Sequence, residues 1–352
     1  MGLQIIKPDV NINFIAARRV AFGVSILLIV LGLGSLLLKG GPRYGIDFAG
    51  GVMVQVKFEQ NLEVSQIKDA LKGAELPDLV VQRLGLEADR EYLIRISAED
   101  AHPEKVRNDI DAALADRMDT GYEIQRLEMV GPKVGSDLRN KALEALFYAV
   151  LLIAIYISGR FEQRWWAAGI MAAALATGMY LLGLLQMPIS YLTFAAMLIT
   201  LALCWKLKLN YALGAVVALI HDVFITVGVF SLLNKEFDLT IVAALLTIIG
   251  YSLNDTIIVF DRIRENIRAK ISDRFSEIIN RSINQTLSRT LLTSGTTLLV
   301  VLSLYVFGGG VIHDFALALL IGVTIGTYSS VFVASPILLA FVPKEDVLEG
   351  KA

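Results

Sequence analysis

Cysteine is nearly absent: Cys204 is the only one in 352 residues, so no disulfide can form within the chain or brace an exported part of it. Histidine occurs three times, at His102, His221 and His313. No His, Cys or carboxylate grouping in the hydrophilic part has the spacing of a metal or catalytic site. A GxxxxGKS/T phosphate loop is missing, which removes that route to ATP hydrolysis. Thirty-two basic residues against 34 acidic ones leave a net charge of −2, with no basic excess to hold nucleic acid. We expect a protein that is not an enzyme, carries no cofactor or metal, and has no nucleic-acid partner.

Apolar residues are abundant, at 55%, and charge is crowded into a few segments. Eight runs approach the ~20 apolar residues that cross a ~30 Å hydrocarbon core: Val20 to Leu38, Ala142 to Ile157, Ala167 to Leu185, Leu192 to Trp205, Tyr211 to Leu233, Leu239 to Phe260, Thr290 to Phe307 and Phe315 to Val342. The fourth is the weakest, with Pro188 before it and Lys206 and Lys208 at its end. Short loops rich in Lys and Arg stay cytoplasmic, and here they alternate along the chain: Lys7, Arg18 and Arg19, then Arg160 and Arg164, then Lys206 and Lys208, then Arg262 to Arg281. That alternation supports eight spans with both termini cytoplasmic. Gly40, Gly41 and Pro42 after the first run lack a small-x-small cleavage pattern, so residues 1–40 read as a retained anchor. The expected fold class is a polytopic α-helical membrane protein of about eight transmembrane helices.

Between the first two spans, residues 41–139 form a separate hydrophilic domain. Its alternations predict strands at Val52 to Phe58, Asp78 to Leu84, Glu91 to Ser97 and Gly121 to Met129, with helices from Val64 and Pro103. The order βαββαβ is that of an α+β ferredoxin-like sandwich. Glycines flank this domain at Gly45, Gly50, Gly51, Gly131 and Gly135; they read as a hinge at the membrane surface, or as two tight turns. The bundle occupies 140–343, with a cytoplasmic helix-rich loop at 261–289 and a tail at 344–352. His102 and His313 read as surface residues.

Ionisable residues inside the spans carry the functional argument, because a carboxylate at the bilayer centre costs about 2.5–3.5 kcal/mol on insertion scales. Asp255 lies in GYSLNDTIIVFDRIREN, about a turn and a half above the charged end of its helix. Arg289 enters the next helix at a similar depth, which permits pairing. Asp222 and His221 fall in the middle of their span, forming either a relay or an interhelical hydrogen bond. Asn254 points about 100° from Asp255 and ranks as an outlying member of an intramembrane polar network. Gly322 and Gly326 form a small-xxx-small pair that suits close helix packing.

Several motifs carry a resemblance: GIDFAGG before the domain, VGPKVGSDL after it, FDLTIVAALLTIIGYSLNDTIIVFDRIREN, INQTLSRTLLTSGTTLL and IGVTIGTYSSVFVASP. In this order they resemble the SecF branch of the SecD/SecF family of bacterial protein-export membrane proteins, within the RND superfamily. The resemblance implies a multi-pass protein of the bacterial cytoplasmic membrane, surrounded by membrane lipid. Its implied partners are SecD, the Sec translocon channel and translocating precursor polypeptides. It also implies proton flow, or sodium flow, through Asp255 and Arg289, coupled to movement of the extracytoplasmic domain. The family ordinarily has six spans, so the stretch 165–209 reads as an inserted hairpin, RFEQRWWAAGIMAA being echoed by KLKLNYALGAVVALI. Two other classes stay open: a small-molecule proton antiporter of the RND type, for which one domain is small, and a passive translocon scaffold or insertion factor.

Overall fold

The computed structural model describes residues 10–341 apart from 75, 78, 85–86, 97–102, 184–188, 272–273 and 309. Lys7, His102, the Gln186 to Met187 link and the 344–352 tail lie outside the described residues. In chain order the elements begin with α1 (Phe14–Leu38), α2 (Ile46–Ala49), β1 (Gly51–Phe58), α3 (Val64–Leu71), β2 (Val80–Leu84), β3 (Glu91–Ile96), α4 (Pro103–Arg117) and β4 (Tyr122–Val130). There follow α5 (Pro132–Glu162), α6 (Trp165–Gly183), α7 (Ile189–Lys206), α8 (Asn210–Leu232), α9 (Leu239–Arg268), α10 (Phe275–Phe307), α11 (Gly310–Ser329), a π turn (Ser330–Ala334) and α12 (Ser335–Phe341).

Among the described residues, six helical segments are long and apolar enough to cross a membrane: α1, α5, α8, α9, α10 and the continuous Ile312–Phe341. The remaining apolar helices are shorter, with stretches Trp165–Gly178 in α6 and Tyr191–Lys206 in α7. The eight runs therefore divide into six full-length helices and one shorter hairpin. The basic turns that open and close this hairpin sit together: Arg164 donates to the Leu207 carbonyl at 3.2 Å, and Glu162 accepts from the Tyr211 backbone N–H at 2.9 Å. The last helix changes to π geometry just before Pro336, whose missing N–H and bulky ring disturb the preceding turn.

In the small domain the strands run in the order β2-β3-β1-β4, all neighbours antiparallel. Alternation sends Val52, Val54, Val56, Tyr92, Ile94 and Ile96 to the face covered by Ile67 and Leu71 of α3 and Ile110 and Leu114 of α4. Each such buried aliphatic contributes about 1.5–3 kcal/mol. A reciprocal pair fixes the start of α3, the Glu63 side chain accepting from the backbone of Gln66 and the Gln66 side chain from that of Glu63.

Glycines set how closely the long helices approach. Gly32 of α1 and Gly228 of α8 meet backbone to backbone, so a Cβ on Gly228 would lie 2.7 Å from the Gly32 Cα; Ser35 and Ser231 join hydroxyls at 2.8 Å beside them. The small-xxx-small pair packs within the bundle, Gly322 against Ile248 and Gly326 against Ser252 of α9. Because backbone cannot yield as a side chain can, Gly228→Val is expected to lower stability by about 3 kcal/mol through overpacking. Gly250→Val, with open space at its Cβ, should be neutral. Thermal unfolding of both variants in detergent checks this; a Gly228→Val protein as stable as wild type would disprove the α1–α8 seam.

Candidate functional site: a buried polar network in the helix bundle

The first half of the network is built on α8. Asp222, 1% exposed, accepts hydrogen bonds at Oδ2 from Ser252 Oγ of α9 at 2.5 Å and from Ser329 Oγ of α11 at 2.8 Å. Its Oδ1 lies 2.9 Å from His221 Nδ1. The other ring nitrogen of His221 is 2.9 Å from Ser25 Oγ of α1, Ser25 is 3.1 Å from the Tyr328 hydroxyl, and Tyr328 donates to the Ala21 carbonyl at 2.7 Å. The Tyr328 ring also stacks on the imidazole. Hydrogen counting is informative here. With the Tyr328 hydrogen committed to Ala21, every contact in the chain carries a hydrogen only if His221 Nε2 bears a proton and the His221–Asp222 contact holds a second one, on the imidazole or on the carboxyl. With the Nε2 proton gone, either Ser25–Tyr328 or Ser25–His221 is a contact between two acceptors.

The second half is built on α9, one turn further along. Ser252 and Asp255 share a helix face at i, i+3, so the residue that binds Asp222 and the second carboxylate point into the same seam. Asp255 Oδ2 accepts from Ser294 Oγ of α10 at 3.0 Å and from Thr327 Oγ1 of α11 at 3.4 Å. Thr327 and Ser294 are themselves 2.8 Å apart. Asp255 Oδ1 is buried with no hydrogen-bond partner among the described residues, and a carboxylate oxygen in that position has free lone pairs for a proton.

Arg289 is not within ion-pair reach of Asp255. It is exposed. Arg289 precedes Ser294, which faces Asp255, by five residues, and so sits roughly 140° around α10 and about 7.5 Å along it from that position. Asn254 is also exposed and lies off the network, as expected from its angle to Asp255. His313 is in α11, not in a loop, half-buried against Tyr305 with ring centroids 4.2 Å apart.

Among the flanking glycines, Gly50 and Gly51 have φ of +78° and +129°, values that side chains disfavour. A Cβ on Gly50 would lie 2.8 Å from Pro132 Cα, and one on Gly135 would lie 3.0 Å from the Gly50 nitrogen. The segments entering and leaving the domain therefore cross in direct contact. Gly45 and Gly131 have φ of −71° and −67° as the residues preceding α2 and α5. A further tie joins the open face of the sheet to the α8–α9 loop, where Glu236 accepts from Gln82 at 2.6 Å and pairs with Arg95 and with Arg43.

Two residues beyond Glu236, Asp238 caps α9 by accepting from the Ile241 N–H at 2.9 Å. Burial pushes its carboxyl up to about 6 against that hydrogen bond, and Asp47 adds repulsion. Since the folded state binds this proton more tightly than the unfolded chain, the associated stability is present below about pH 4 and lost as pH rises to about 6, a loss of about 2–3 kcal/mol. Asp238→Asn keeps the capping oxygen and removes the titration. Its melting temperature is expected to rise relative to wild type between pH 4 and pH 7; a constant difference across that range would refute this assignment.

Two family profiles match the chain: "Protein export membrane protein SecD/SecF, C-terminal" over residues 110–191 and 182–344, and "SecD/SecF GG Motif" over residues 35–61. The chain is 42% identical to the protein translocase subunit SecF of Magnetococcus marinus over 97% of this chain and 95% of that one. It is 40% identical to the subunit of the same name from Vibrio alginolyticus, over 98% and 95%. The chain belongs to the SecD/SecF family. The fold agrees: it superimposes on the crystal structure of SecDF, a translocon-associated membrane protein from Thermus thermophilus, with a TM-score of 0.70 and 31% identity, over 96% of this chain and 39% of that one. The chain thus spans about two fifths of the SecDF polypeptide.

The stretch matched by the GG-motif profile holds two Gly-Gly pairs, Gly40–Gly41 and Gly50–Gly51, all four with positive φ; at Gly50 the contact with Pro132 adds a second physical reason for glycine. Sequence reasoning singled out Asp222, His221 and Asp255 but missed Ser25, Tyr328, Thr327 and Ser329, which complete their coordination. The available signal was faint. A hydroxyl in an apolar helix usually bonds back to its own helix, as Thr293 and Thr296 do to Arg289 and Leu292.

Proposed function

We propose that this chain is the SecF-type subunit that works with SecD in Sec-dependent protein translocation, using ion flow through the Asp255 and Asp222 network to drive movement of its extracytoplasmic domain. The observation that carries the reading is Asp255 itself: a carboxylate inside the bundle, held on one oxygen by two hydroxyls from two helices and unbound on the other. Protonation would weaken what Ser294 and Thr327 donate to, and so alter how α10 and α11 sit against α9. The hydrogen count at His221 supports a second proton-holding point nearby. Arg289 would then act as a mobile counter-charge, swinging toward Asp255 in another state of the cycle.

We take the bundle to have eight crossings, with α6 and α7 as an inserted hairpin. The two stretches matched by the C-terminal family profile overlap inside that hairpin, at 182–191, which favours a duplication there. Both termini are assigned to the cytoplasm and the small domain to the other side, because Arg160, Arg164, Lys206 and Lys208 all fall at the end away from the domain. The domain is read as ferredoxin-like on its strand order and its two helices. Its movement would turn on the crossing of Gly50, Gly51 and Gly135 and would require release of Glu236 from Arg95 and Gln82.

SecD is expected against the face where Thr247, Gly250 and Asn254 of α9 and Arg289 and Thr296 of α10 are exposed, since polar and small residues at membrane depth suit a helix partner better than lipid. The translocon channel and precursor chains would be met on the domain side. The reading is tested by dissipation of a pH gradient in proteoliposomes containing this chain and SecD. Wild type should conduct and Asp255→Asn should not; a sodium gradient in the second arm identifies the ion. Equal conductance in both proteins would reject the relay and favour a passive scaffold.

A further inference from the structure

An apolar cavity of about 250 Å³ opens between α5, α7, α8 and α9 on the side of the bundle that carries the small domain. Its walls include Leu146 and Val150 of α5, Met197 of α7, Ile220 and Phe224 of α8, and Ile249 of α9. Pro42, Tyr44 and Arg139 stand at its head. From Arg139 to Val150 the wall runs eleven residues along α5, which at about 1.5 Å each is roughly 16 Å. That is close to the depth of one leaflet, half of the ~30 Å hydrocarbon core.

The head of the cavity is charged and unsatisfied. Arg139 Nε is buried with no hydrogen-bond partner, the guanidinium rests on the Tyr44 ring at 5.3 Å, and no carboxylate pairs with it among the described residues. Arg139 is half-buried, but its Nε is a buried donor left unsatisfied, which is costly, and its guanidinium fork matches a phosphate. An anion at the head and an apolar slot one leaflet deep beneath it describe a single class of ligand. We propose that this cavity is a binding site for one anionic phospholipid of the domain-side leaflet, with the phosphate on Arg139 and an acyl chain in the slot walled by α7. The shorter hairpin thereby acquires a role that the six long helices do not need it for: it closes the outer wall of a lipid site.

The test uses the full-length chain, equilibrated in vesicles of equimolar phosphatidylglycerol and phosphatidylcholine, extracted gently, and weighed intact by native mass spectrometry. One phosphatidylglycerol should be retained per chain in preference to phosphatidylcholine. Arg139→Gln should reduce that retention at least tenfold, and Arg139→Lys by much less. Met197→Trp, which fills the slot and leaves the cation, should also abolish it, and serves as the deciding variant if Arg139→Gln does not fold. Lys133→Gln, an exposed cation one helical turn and a half away, should retain the lipid as wild type does. Unchanged retention in Met197→Trp, or equal loss in Lys133→Gln, would overturn the proposal. So would cross-linking of Met197→Cys to co-expressed SecD, which would give the slot to a protein segment.

Discussion

Replacing Asp222 with leucine is expected to destabilise the bundle by about 2–4 kcal/mol, whereas asparagine should cost about 1 kcal/mol. Three groups from three helices converge on this carboxylate: His221, Ser252 and Ser329. Interhelical hydrogen bonds in membranes average about 0.6 kcal/mol each, so the two from Ser252 and Ser329 account for roughly a third of the upper figure. The rest comes from leaving the His221 imidazole buried opposite an alkyl group, since removal of one member of a buried pair costs more than the pair contributes. Ser329 limits the loss, because it can turn fully to the Gly326 carbonyl 3.1 Å away. Thermal unfolding of purified Asp222→Leu and Asp222→Asn measures the difference. Two variants of wild-type stability would show that the α8 cluster holds nothing together.

Asp255→Asn is expected to behave in the opposite way, folded and inactive. An asparagine oxygen can still accept from Ser294 and Thr327, and its amide replaces an oxygen that had no partner. Removing an unpaired buried carboxylate relieves its desolvation cost, so stability should stay within about 1 kcal/mol of wild type. Function should fall to that of an empty vector, because the side chain can no longer take up or release a proton. The contrast separates the two carboxylates: Asp222 is braced on both oxygens, as a structural centre must be, while Asp255 is held on one. A common loss of stability in both variants would remove this distinction.

The small domain was legible because period-2 alternation at Val52 to Phe58 and Glu91 to Ile96 is an intrinsic property of half-buried strands, and the sheet forms at those positions. Close packing of Gly322 and Gly326 was equally legible, since small residues at i, i+4 lie on one face. Pairing of Asp255 with Arg289 failed for a geometrical reason. Hydropathy gives depth along a helix, while azimuth depends on which face the neighbouring helices cover, and Arg289 falls on the uncovered one. The same limit hid Tyr328 and Ser25, whose partner His221 lies about 110 and 200 residues away in sequence. The Glu236 tie to Arg95 was invisible because it joins two loops and strands through tertiary placement alone, with no local pattern to announce it.

The central claim is that Asp255 takes part in the working cycle and is not a packing residue. Pulse-chase export of a secretory precursor tests it most directly, in cells depleted of their own SecF and supplied with this chain or its Asp255→Asn variant at equal membrane levels. The account predicts rapid export with the wild-type chain and export as slow as in depleted cells with the variant; equal export by the two proteins would contradict it.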